Sequence, residues 1–102
     1  MFSAEVPATF EREYGSTLAE WRRALPGAVG AGRLEEDGAG LATVTLAEGG
    51  RLTLRWTVMP DRRIALARLP CLQVSFRFDD VAPAVRAAFM RHFDLYTQRG
   101  GG

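Results

Sequence analysis

Cys71 and His92 are the one cysteine and the one histidine of this 102-residue chain. Together they could supply a thiolate nucleophile and its general base, provided the two side chains touch and a third group orients the imidazole. Their spacing argues against it. His92 falls inside the apolar stripe of a C-terminal helix, whereas Cys71 shares alternation with the polar positions of a strand, so the two are expected on opposite sides of a sheet. A histidine among Val85, Phe89 and Tyr96 reads as a hydrogen-bonded core or helix–sheet residue, at least partly buried. One Cys and one His provide no zinc-ligand set, and no cofactor or metal is expected.

The arginines offer different chemistry. Arg51, Arg55 and Arg77, with Arg63 as a fourth candidate, alternate with apolar residues, which puts them on the outer face of the predicted strands beside Thr43, Thr45, Thr53, Thr57, Gln73 and Ser75. Guanidinium forks in such a row can grip phosphate oxygens. No carboxylate alternates with them along these strands, so a basic patch is expected. The aromatic residues of the same strands point to the core by parity, so the face lacks the stacking platforms of a single-strand binder. An ordinary solvated sheet face accounts for the same residues and is the preferred reading.

Other polar groups have local explanations. Glu35-Glu36-Asp37 reads as an acidic turn, and Asp79-Asp80 as the cap of the last helix. Gly27, Gly30 and Gly32 do not match a phosphate-binding fingerprint, since no strand–loop–helix context surrounds them. The C-terminal Arg99-Gly100-Gly101-Gly102 resembles the tail of ubiquitin-like sulfur carriers, whose activated ends are Gly-Gly. That resemblance implies a β-grasp fold with a strand leading into the tail, whereas the pattern here leads in with a helix.

The elements that must position these groups follow from hydrophobic periodicity. Phe2, Ala4 and Val6 alternate as a short strand ended by Pro7. Phe10, Tyr14, Leu18, Trp21 and Leu25 share one helical face, and Pro26-Gly27 stops the helix. Gly15-Ser16 and the capping box Thr17-Leu18-Ala19-Glu20 allow a shorter helix over 17–25; the unbroken stripe favours 8–25. A small strand is expected at 32–36, with Asp37-Gly38 as the following turn. Ala42, Val44 and Leu46 form the next strand, Glu48-Gly49-Gly50 a hairpin turn, and Leu52, Leu54, Trp56 and Val58 the inward side of a half-buried strand. Pro60-Asp61 turns the chain. Two strands, 63–69 and 72–78, then follow with a bend at Pro70-Cys71. Val85, Ala88, Phe89, His92, Phe93 and Tyr96 mark a final amphipathic helix, and residues 97–102 a frayed tail.

This pattern predicts one α+β domain over 1–102: a two-layer α/β sandwich, with an antiparallel β-meander carrying two amphipathic helices on one face. The 13 basic residues against 12 acidic ones leave no bulk field to attract nucleic acid or anionic lipid, so any basic site must come from local arrangement. All 13 are Arg; Lys and Asn are absent and Ile64 is the only Ile, which points to a GC-rich, bacterial genome. One cysteine, no signal-like N-terminus and no long apolar run predict a cytoplasmic protein without a membrane partner. The expected function is non-enzymatic binding of a protein partner or of a second copy. The alternatives are a nucleic-acid or phosphate-ligand binder using the Arg face, and last an enzyme centred on Cys71 or His92.

Overall fold

The computed structural model describes residues 6–100. Its elements are β1 (Thr9–Tyr14), α1 (Leu18–Ala28), β2 (Arg33–Glu36), β3 (Leu41–Thr45), β4 (Arg51–Ile64), β5 (Ala67–Asp79) and α2 (Pro83–Gly100). The five strands form one antiparallel sheet in the order β1-β5-β4-β3-β2. Strands β2 to β5 are a meander, and β1 returns to its far edge beside β5. Ala42, Val44, Leu52, Leu54, Trp56, Leu72, Val74, Phe76 and Phe78 line one face, where they bury Trp21, Leu25 and Ala28 of α1 and Met90 and Phe93 of α2. This is an α+β fold with both helices on one side of the sheet.

The first difference from the sequence reading lies at residues 9–14. These are a strand, not the first half of a helix, and the helix begins after Thr17. Phe10 and Tyr14 are four apart, a spacing that fits both a helical face and a strand face, since four is close to one helical turn and is also an even number. Local chemistry breaks the tie. The Thr17 hydroxyl accepts from the Glu20 amide at 3.1 Å while the Glu20 carboxylate accepts from the Thr17 amide at 2.9 Å, closing a capping box. Pro26 does not end the helix. α1 runs on to Ala28, because Leu25, Ala28 and Val29 are buried and this packing outweighs the amide that proline removes.

The second difference is in the long hairpin. β4 continues through Pro60-Asp61 with a register irregularity between Met59 and Arg62, and the turn falls at Ala65-Leu66. β5 continues as one strand through Pro70, which lies across from that irregularity. Residues 97–100 are helical, with the buried Thr97 hydroxyl donating to the Phe93 carbonyl at 3.0 Å. A helix therefore leads toward the Gly-rich end, unlike the sulfur-carrier arrangement; Gly101 and Gly102 lie outside the described residues. The strand expected over 2–6 also lies outside them save Val6, which is not in a strand. No helix among the described residues is long and apolar enough to cross a membrane.

Candidate functional site: the open face of the sheet

With both helices on one side, the other face of the sheet is uncovered. Antiparallel partners lie side by side on the same face, so the register places its side chains in rows. Arg33, Thr45, Arg51 and Asp79 make one row; Glu35, Thr43, Thr53, Arg77 and Thr9 the next; Leu41, Arg55, Ser75 and Glu11 the third; Thr57, Gln73 and Glu13 the fourth. The middle of this surface is a concavity of about 550 Å³, to which Arg51, Arg55, Arg77, Glu11 and Asp79 all contribute.

The structure thus brings Arg51, Arg55 and Arg77 together but not Arg63. Beyond the irregularity between Met59 and Arg62, Arg63 pairs with Arg68 on the ribbon that extends past the sheet. Nor is the patch purely basic. Asp79, at the end of β5, lies across from Arg51 and 3.5 Å from Arg77 Nε, instead of capping α2. Glu11 accepts from Gln73 Nε2 at 2.9 Å, and Glu13 pairs with Arg62. Asp80 turns the chain at a left-handed φ of 58°. Arg51 and Arg55 make no ion pair among the described residues.

Four carboxylates on this face are absent from the sequence expectation: Glu11 and Glu13, which a helix over 8–25 would place elsewhere, and Glu35 and Asp79, whose local pattern suggests a turn and a helix cap. A signal for Glu11 and Glu13 existed. Thr9, Glu11 and Glu13 alternate with Phe10, Arg12 and Tyr14, and Gly15-Ser16 separates that run from the capping box. The same alternation turns Arg12 inward, where its guanidinium lies 5.4 Å from the Phe10 ring centroid and pairs with Asp94 of α2.

Cys71 and His92 are placed apart. Cys71 is buried opposite Met59, on the open-face side by register. His92 is half-buried on the helix side, where its Nε2–H donates to the Gly27 carbonyl at 2.8 Å and its ring lies 4.8 Å from that of Tyr96. The hydrogen bond fixes the imidazole proton on Nε2. Gly27 and Gly30 serve this contact: a Cβ on Gly27 would come 2.6 Å from the Tyr96 ring, and one on Gly30 would come 3.1 Å from His92 Nε2. A cleft of about 220 Å³ beside His92, walled by Val29, Leu46, Glu48, Val85 and Phe89, does not include Cys71. Asp37 makes a turn, its Oδ1 accepting from the Ala39 and Leu41 amides, and Glu36 lies 3.6 Å from Arg22. No cluster of three metal-ligating side chains occurs among the described residues.

Comparison with known proteins finds no matching family model, no matching curated protein and no matching solved structure. The functional reading therefore rests on the surface itself.

Proposed function

We propose that this protein is a non-catalytic protein-binding module whose docking surface is the open sheet face around Arg51, Arg55 and Arg77. The observation that carries this reading is the interleaving of charge: Glu11, Glu13, Glu35 and Asp79 stand among the arginines on one face. A surface evolved to hold a polyanion gathers one sign of charge, whereas a mixed array selects a partner by charge complementarity and register. The face also suits a second copy, because carboxylates toward β1 and arginines on β4 can be exchanged across a two-fold axis. The sheet edges suit it less. β1 and β2 are short and carry Glu11, Arg12, Glu13, Arg33, Glu35 and Glu36, the kind of charge that discourages strand addition.

Arg51 and Arg55, free of ion pairs among the described residues, favour a second reading in which a phosphate-bearing ligand occupies the concavity. Residue usage and the single cysteine support a bacterial cytoplasm as its setting. Two measurements separate the readings. Sedimentation velocity across a concentration series tests self-association, which Arg55→Glu should abolish while leaving the thermal melt unchanged. Titration with RNA and DNA at two salt concentrations tests the second reading. Steeply salt-dependent binding that Arg51→Gln and Arg55→Gln weaken would replace the protein-binding reading.

A further inference from the structure

The β4–β5 ribbon continues past the Met59–Cys71 pair as a two-stranded arm on which no other described element packs: every residue from Pro60 to Leu69 is exposed. Its exposed large apolar residues are Ile64, Leu66 and Leu69, and Leu66, in the turn, is fully exposed. A soluble hairpin end ordinarily carries Gly, Asn or Asp; here the turn is Ala65-Leu66, with Ala65 held at a φ of 55°. The arm also carries three cations, Arg62, Arg63 and Arg68, against one carboxylate, Asp61; Arg62 pairs with Glu13, and Arg63 and Arg68 make no ion pair among the described residues.

The register shows how these are arranged around the ribbon. Arg62 pairs with Leu69 and Ile64 with Ala67 on one face, while Arg63 pairs with Arg68 on the other. Cations therefore stand on both faces, and apolar side chains occupy the end and one flank. At about 3.3 Å per residue pair, the Arg63–Arg68 and Arg62–Leu69 pairs lie roughly 7–10 Å behind the turn. Like charges directly opposite each other destabilise a strand pair. An anion between Arg63 and Arg68 would relieve that repulsion.

We propose that this arm is a membrane-surface anchor: Leu66 and Ile64 enter the headgroup region of an anionic lipid bilayer, and Arg63 and Arg68 bind lipid phosphates. The depth agrees, since interfacial segments bury their apolar side roughly 5–10 Å and leave the cations at the level of the phosphates. Long arginine stems can reach the headgroups while their methylenes stay in the apolar zone. A second copy is a poorer occupant. Three large apolar side chains on a ribbon end cover far less than the roughly 800 Å² per partner of a stable interface. Duplex nucleic acid is poorer too, because two unpaired arginines neutralise few phosphates and most of the apolar surface would stay in water. An anchor here would run against the expectation of no membrane partner; the basic site is local to the arm, invisible in a net charge of +1.

The test is co-sedimentation of the whole protein with vesicles of phosphatidylcholine alone and of phosphatidylcholine with phosphatidylglycerol. The wild type is expected to partition onto the anionic vesicles and to be released by salt. Leu66→Asp should lower the partition coefficient at least about tenfold. Removing Arg63 or Arg68 as Gln should lower it about fivefold each. These residues are exposed, so thermal melts of the variants should match wild type, separating lost binding from lost fold. Absence of partition onto anionic vesicles, equal partition of wild type and Leu66→Asp, or tighter binding to a DNA duplex than to vesicles would overturn the proposal.

Discussion

Arg12 of β1 forms an ion pair with Asp94 of α2 on the helix side of the sheet, with its guanidinium over the Phe10 and Phe76 rings at 5.4 and 5.8 Å. The pair ties the edge strand to the C-terminal helix. Burial opposes the charge on Arg12, but its interactions with Asp94 and Tyr14 more than offset this, and its pKa is raised. Asp94→Ala is expected to destabilise the protein by about 1–2 kcal/mol, less than the 3–5 of a fully buried pair because water reaches both side chains. The double variant Arg12→Met/Asp94→Leu should recover most of that loss. Urea denaturation of wild type, Arg12→Met, Asp94→Leu and the double variant gives the coupling energy, and a value near zero would make the pair an incidental contact.

Tyr14, next to this pair, predicts a pH dependence. Burial raises its pKa above 10, Arg12 works against the rise, and Asp94 adds to it. The unfolded chain then gives up the Tyr14 proton first. The corresponding stability is complete below the unfolded value of about 10 and is lost as pH climbs through the higher folded value. Tyr14→Phe should flatten this high-pH decline in urea melts. Near neutral pH the same change should cost little, since the buried Tyr14 hydroxyl meets no hydrogen-bond partner among the described residues. Identical pH profiles for the two proteins would remove Tyr14 as the cause.

The centre of the core is Trp21. It is 2% exposed, against 7% for Trp56, and its ring centroid lies 5.2 Å from that of Tyr14, 5.7 Å from Trp56 and 5.9 Å from Phe93. Trp21→Ala is expected to cost about 3–5 kcal/mol, and Trp56→Ala somewhat less, because Trp56 borders the surface. Chemical denaturation ranks them; the reverse order would shift the centre of the core to β4.

Gly38 and Gly50 have nearly the same left-handed φ, 79° and 83°. They differ in what surrounds them: a Cβ on Gly38 meets nothing within 4 Å, whereas one on Gly50 would lie 2.4 Å from the Asp80 carbonyl oxygen. Gly38→Ala should therefore show the dihedral strain alone, about 1–2 kcal/mol. Gly50→Ala should cost more, by an amount that reports how closely the β3–β4 turn packs on the chain after β5. Equal losses in thermal melts would show that the backbone there yields freely.

The elements with unambiguous alternation were legible from sequence. Leu52, Leu54 and Trp56, and Leu72, Val74, Phe76 and Phe78, are inward as their parity requires, because a one-residue slip would expose a whole row of apolar side chains. The Glu48-Gly49-Gly50 turn and the Asp37-Gly38 turn were legible for a related reason, since their backbone demands are local. The arginines of β4 and β5 followed from the same parity.

Tertiary structure decided what local pattern left degenerate. A spacing of four served strand and helix equally at Phe10 and Tyr14. Pairing with β5 and the Thr17 cap resolved it, and thereby brought Glu11 and Glu13 to the open face. The turn at Ala65-Leu66 carries no Gly or Asn, so Pro60-Asp61 and Pro70-Cys71 were stronger local signals; cross-strand pairing of Arg62 to Ile64 with Leu69 to Ala67 overrode both. Ile64 illustrates the physical reason. Its even number placed it with the core, but the irregularity between Met59 and Arg62 turns the following residues to the opposite face, and register between two strands is a property of the pair that neither strand's sequence contains alone.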